Sequence, residues 1–129
     1  MALRLTLKPH ERVIVGGAVI RNGDSRSALL IENEVPVLRE PDILSPSAVR
    51  TPCERIYMAL QLMYVDEERI TEHQATYIEL AAEALHAAPS LAPVLRTIEE
   101  QIMVGRIYHA LKSARELLHR ERELVSDVH

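Results

Sequence analysis

Apolar and polar residues alternate at the start of the chain, where Leu3, Leu5 and Leu7 are interleaved with Arg4, Thr6 and Lys8. A period of two predicts a strand that buries one face and turns cations and a hydroxyl outward on the other. Lys8-Pro9-His10-Glu11 reads as a turn, because proline cannot donate to a central ladder. Val13-Ile14-Val15 and Ala18-Val19-Ile20-Arg21 flank Gly16-Gly17, a turn or bulge. Asn22-Gly23-Asp24 gives the strongest hairpin signal and predicts Ser27–Ile31 as the return strand, with the two-residue loop either Asn22-Gly23 or Gly23-Asp24. A last strand follows at Val35-Pro36-Val37-Leu38-Arg39, its proline suited to an edge.

The period then changes. Thr51-Pro52-Cys53-Glu54 is a capping box with proline at the first helical position, so a helix is expected from there, with Ile56, Leu60 and Met63 on one face. Asp66-Glu67-Glu68 suits the start of a second helix, whose stripe is Ile70, Tyr77, Ile78, Ala81, Ala82 and Leu85. Pro89 and Pro93 bracket a break with Ser90 as candidate N-cap, and apolar residues recur at helical spacing from Val94 to Leu118, with Gly105 placed to bend or divide that run. The fold class expected is α+β: an antiparallel β subdomain over 1–44, a proline-bearing linker over 45–51 and a three- to four-helix subdomain over 52–129.

With 129 residues the chain can bury a core without staples. One cysteine excludes an internal disulfide framework, and together with a charged start lacking an apolar leader it leads to the expectation of a soluble, cytoplasmic protein. No apolar run approaches the roughly 18 residues of a membrane span. The net charge of -4 argues against a protein that coats nucleic acid by bulk electrostatics. The charge is unevenly spread: residues 1–50 hold seven Lys or Arg against six Asp or Glu, while the remainder holds eight against thirteen. A polyanion would therefore meet the first segment. All four tyrosines lie beyond residue 50, and Phe and Trp are absent, so the strand-rich part offers no base-stacking platform.

Catalytic and metal chemistry find little support. Cys53 falls in the first turn of a helix, where the dipole can lower a thiol pKa, but it lacks a placed base and reads as a small buried hydrophobe. The six histidines, at 10, 73, 86, 109, 119 and 129, form no compact ligand set. There is no phosphate-cradling glycine loop and no nucleophile elbow, so neither an enzyme nor a cofactor is implied.

Two blocks carry a resemblance. Leu3-x-Leu5-Thr6-x-Lys8-x-x-Glu11 and Val37-x-Arg39-Glu40-x-x-Ile43 are similar to the opening and closing strands of the carbon storage regulator family of RNA-binding proteins. That family is dimeric with intertwined strands, and a basic residue of the closing strand works beside the partner's opening strand on GGA-containing leaders. Across most of its length the chain resembles the flagellar biosynthesis regulator FlbT family of alphaproteobacteria. The blocks are Leu7-Lys8-Pro9-His10-Glu11, Gly17 to Asp24, Val37 to Ile43, Thr51-Pro52 with Arg55-Ile56-Tyr57, and Tyr108-His109-Ala110-Leu111-Lys112.

This resemblance implies post-transcriptional control: association with the 5′ untranslated leader of flagellin mRNA, repression through its decay in the best-known setting and activation in others, alongside a small helical FlaF-like partner. Carried over by position, the RNA-contacting residues are Arg4, Leu5, Lys8 and Arg39, with Leu5 acting through its backbone edge. Arg39 is the sharpest choice, since its planar fork reaches a phosphate or the O6/N7 edge of guanine. Its competing role is an ion pair with Glu40, Asp42, Glu32 or Glu34. Leu7 stands where the carbon-storage pattern has a cation, which makes the expected groove less positive. A homodimer or higher homo-oligomer is implied by the same resemblance. The alternative function is an adaptor or chaperone-like module that docks a FlaF-like protein or flagellin on the helical stripes at 56–64 and 94–118.

Overall fold

A computed structural model describes residues 2–128, with side chains through Leu124; Met1 and His129, the last of the six histidines, lie outside it. The chain divides into two compact units, residues 1–43 and 44–129. The first holds five short strands: β1 (Leu3–Leu7), β2 (Arg12–Val15), β3 (Ala18–Arg21), β4 (Ser27–Ile31) and β5 (Val37–Arg39). The second holds four helices: α1 (Pro52–Val65), α2 (Ile70–Ala87), α3 (Ala92–Met103) and α4 (Ile107–Val128). The α+β expectation stands. Among the described residues no helix is long and apolar enough to cross a membrane.

The strands make two antiparallel sheets, one of β1 and β4, the other in the order β3-β2-β5. Leu5, Leu7 and Val13 form the core, with Val15, Leu29, Ile31 and Val37 packed on it. Alternation along β1 thus does what its period predicts: Leu5 and Leu7 point inward, and Arg4 and Thr6 outward.

The hairpin assignment is corrected. Gly16 and Gly17, at φ 57° and 88°, make the tight turn that pairs Val15 with Ala18, and β4 returns along β1 with Leu3 opposite Ile31. Paired positive φ values give the two-residue turn that matches strand twist. Asn22-Gly23 serves instead as a clasp on the Lys8–Glu11 turn. The Asn22 Nδ2 donates to the carbonyls of Leu7 (3.2 Å), Lys8 (2.8 Å) and Ser25 (3.0 Å), and its Oδ1 accepts from Ser27 Oγ (2.7 Å). His10 N–H donates to the Gly23 carbonyl at 2.9 Å, and Asn22 N–H to that of Glu11 at 2.8 Å. A side-chain amide that satisfies backbone carbonyls is an alternative to ladder pairing, and here it wins.

In the second unit the capping box forms as read: Thr51 Oγ1 accepts from Glu54 N–H, and the Glu54 carboxylate accepts from Thr51 N–H. Leu44 is tied to α1 by the buried Gln61, which accepts from its N–H (2.8 Å) and donates to its carbonyl (3.0 Å). The segment read as a linker carries a single 3-10 turn at Pro46–Ala48. Helix α1 packs against α2 and α4, and α3 against α4. Ile56, Leu60, Met63, Ile98, Leu111 and Leu117 are fully buried between them. Each contributes about 1.5–3 kcal/mol of transfer free energy.

Ser90 is not an N-cap. A 3-10 turn at Pro89–Leu91 runs directly into α3, whose cap position, Leu91, makes no side-chain bond. Gly105 divides the last run into two helices. It sits at φ 79°, Arg106 N–H donates to the Gln101 carbonyl (2.8 Å) and Gly105 N–H to that of Ile102 (3.0 Å), the six-to-one and five-to-two bonds of a Schellman stop.

The stripe expected on α2 is also divided. Tyr77, Ala81 and Ala84 are buried, while Ile78, Ala82 and Leu85 are exposed. The Tyr77 hydroxyl has no hydrogen-bond partner among the described residues, and burial raises its pKa. Two substitutions should move stability in opposite directions in urea denaturation followed by circular dichroism. Gly105→Ala puts its Cβ in open space but strains the backbone, and should cost about 1 kcal/mol. Tyr77→Phe removes an unpaired buried hydroxyl and should gain about 1 kcal/mol.

Candidate nucleic-acid interface

The local geometry begins at the Lys8–Glu11 turn. Glu11 N–H donates to the Lys8 carbonyl (3.1 Å), and His10 at the third position adopts φ 62°, a left-handed value unusual for a side chain other than glycine. The turn folds Glu11 back on the end of β1, where its Oε1 accepts from Lys8 N–H at 2.9 Å. Its other oxygen, Oε2, lies 3.4 Å from Arg39 Nη2.

Arg39 ends β5, opposite Val13 of β2 in the register of that pair. Its Nη2 donates to the Thr6 carbonyl at 2.6 Å, which bridges β5 to β1 across 33 residues of sequence. The only strand that pairs with β1 among the described residues is β4. The arginine thus occupies an otherwise unpaired strand edge. Its side chain is 43% exposed, and Nε and Nη1 have no hydrogen-bond partner among the described residues. Those donors remain available to an incoming acceptor.

The carboxylates considered as partners for Arg39 are used elsewhere or not at all. Glu40 takes Arg12, through Arg12 Nε (3.3 Å) and backbone N–H (3.1 Å). Glu11 is the partner that sequence reasoning missed, although it stands in the quoted Lys8-x-x-Glu11 block. The three-residue spacing across a proline turn was its signal. The Glu11 side chain is only 11% exposed. The Lys8 N–H bond, and after it the charge and hydrogen bond of Arg39, hold its carboxyl below the usual carboxylate range against partial desolvation.

Of the four residues expected to contact RNA, two meet at Glu11, Lys8 through its backbone N–H on Oε1 and Arg39 through its guanidinium on Oε2. Arg4 stands on the same outward face of β1 as Thr6 and forms no side-chain ion pair among the described residues. Leu5 is buried, so only its backbone remains for any ligand. Arg21 is turned to the His10 carbonyl, to which its Nη1 donates at 3.1 Å. No group of three metal-ligating side chains occurs among the described residues. Cys53 is buried and its thiol is pushed up to about 12 by burial and then by the Glu121 carboxylate, which removes the reactive-thiol reading.

Comparisons with known proteins add a family signal. The model of the family described as flagellar protein FlbT matches residues 3–125. A probable flagellum biosynthesis repressor protein FlbT 1 of Bradyrhizobium diazoefficiens is 47% identical over 125 residues, covering 96% of this chain and 85% of the relative. One of Rhodopseudomonas palustris strain TIE-1 is 40% identical over 126 residues, 98% and 99% of the two chains. The flagellum biosynthesis repressor protein FlbT of Caulobacter vibrioides strain ATCC 19089 is 36% identical over 131 residues, 99% and 92% of the two. No solved structure matches.

The Glu11 bridge makes stability depend on pH. Because its folded pKa is depressed, its contribution is present above the unfolded carboxylate pKa and is lost as pH falls through the lower folded value. In urea denaturation from neutral pH to pH 3, wild type should lose more stability than Glu11→Gln, and the two curves should converge at the acid end.

Proposed function

Since the chain belongs to the FlbT family, whose named relatives are repressors of flagellum biosynthesis, we infer that it regulates flagellum synthesis by binding the 5′ untranslated leader of flagellin mRNA through the β1–β5 edge and controlling its stability or translation. The observation that carries this reading is the exposed Arg39 guanidinium, pinned to the Thr6 carbonyl with two nitrogens still open, beside the Lys8 end of β1. A guanidinium oriented by one bond loses less freedom when it makes the next, so it is prepared for a bidentate acceptor such as guanine O6/N7 or a phosphate. Arg4 on β1 and Lys8 just past its end, both exposed, suit neighbouring phosphates.

The Glu11 carboxylate tempers the site. It leaves the cluster with a small net positive charge in an acidic chain, so the interface selects by geometry more than by bulk attraction. The acting species is a homodimer in this reading, supported by β3, which is exposed at every residue and unpaired along one edge.

Electrophoretic or anisotropy titration of a labelled flagellin leader tests the proposal. With three cations on phosphates, the logarithmic salt slope should be about -2 for single-stranded RNA. Arg39→Ala should weaken binding by about 1–3 kcal/mol, with the helical circular dichroism signal retained. No salt-dependent binding of the leader by wild type, or equal binding by Arg39→Ala, would overturn it.

A further inference from the structure

The outer face of α2 is apolar without being covered. At about 100° per residue, Tyr77, Ala81 and Ala84 share the buried face, whereas Ala75, Ile78, Ala82 and Leu85 form a second stripe centred about 120° away. Ile78 is 58% exposed and Leu85 40%. Their spacing of three, four and three residues is that of a helix-packing seam, and the alanines leave hollows beside two bulky knobs. The stripes at 56–64 and 94–118, which the sequence suggested for docking, are largely consumed inside the helical unit, Leu111 included. Met103 and Val104, at the end of α3, are also exposed, but the α2 stripe is the one with helix-packing spacing along its length.

One rim of the seam is acidic. Glu72, Glu79 and Glu83 all project along the side away from the buried face, all are exposed, and none forms an ion pair among the described residues. A second copy of α2 laid antiparallel, centred so that Ile78 meets Ala82 of the copy, would set Glu79 beside Glu79 of that copy. Like charges across a helix seam are destabilising, so self-pairing is disfavoured. We propose that this face of α2 seats an amphipathic helix of another protein, with bulky apolar residues at seam spacing and lysine or arginine flanking them. The apolar knobs supply the contact area and the three carboxylates choose the partner by charge. The face lies in the other unit from Arg39, so the inference stands apart from the RNA reading.

The full-length protein is titrated into fluorescent peptides of about 21 residues, three heptads with leucine in the seam and either lysine or glutamate at the flanking positions. The lysine peptide should bind at least about tenfold more tightly than the glutamate peptide at low salt. Ile78→Ser, a change at an exposed position, should weaken the lysine peptide by about tenfold with an unchanged melting temperature. Replacing Glu72, Glu79 and Glu83 together by glutamine should remove most of the preference between the peptides. Absence of binding, equal binding of both peptides, or binding indifferent to Ile78→Ser would overturn the proposal. So would sedimentation of wild type as a dimer that Ile78→Ser converts to monomer, which would assign the face to a second copy.

Discussion

The Arg39 guanidinium ties the two sheets of the strand unit across an apolar core of Leu5, Leu7 and Val13. Its bond to the Thr6 carbonyl joins β1, which pairs with β4, to the end of β5, which pairs with β2. Glu11 keeps that guanidinium in place from the other side, and the Lys8 N–H keeps Glu11 in place. Each partner is oriented by a backbone group, so little rotamer freedom remains to be lost. An arginine arranged in this way is both a structural tie and an exposed donor.

The same residues show how far sequence reading reached. Alternation at Leu3 to Lys8 placed β1 correctly because a two-residue period leaves only two ways to face a core, and Leu5 and Leu7 choose between them. The capping box at Thr51 was legible because its partners are three residues apart. The β3–β4 pairing was misread because Asn22-Gly23 has the composition of a hairpin turn, while the decision was made by carbonyls of Leu7 and Lys8 that compete for the Asn22 amide from fifteen residues away. The Arg39 partner was missed for a related reason. Candidates close in sequence were favoured, and Glu11 is brought near only by the turn at Pro9 and His10.

In the helical unit, periodicity identified the elements better than it divided their faces. Residues 70–85 contain enough apolar positions for two stripes, and only packing against α1 decides which is buried: Tyr77, Ala81 and Ala84 go inward, although Tyr77 brings a hydroxyl that finds no partner. Gly105 was visible as a possible interruption, and the bonds around it turn that possibility into a helix stop. The unpartnered stripe on α2 was hidden in the sequence because exposed and buried alanines look alike.

The long reach of the Arg39 tie also sets an order of events during synthesis. Leu3 must wait for Ile31, and Thr6 for Arg39, before the first strand has its full set of bonds, so the amino-terminal end emerges from the ribosome well before its last partner. The helical unit waits longer still, because α1 packs against α4 and the Cys53 N–H donates to Glu121 across 68 residues. The strand unit can therefore close while α4 is still to be made.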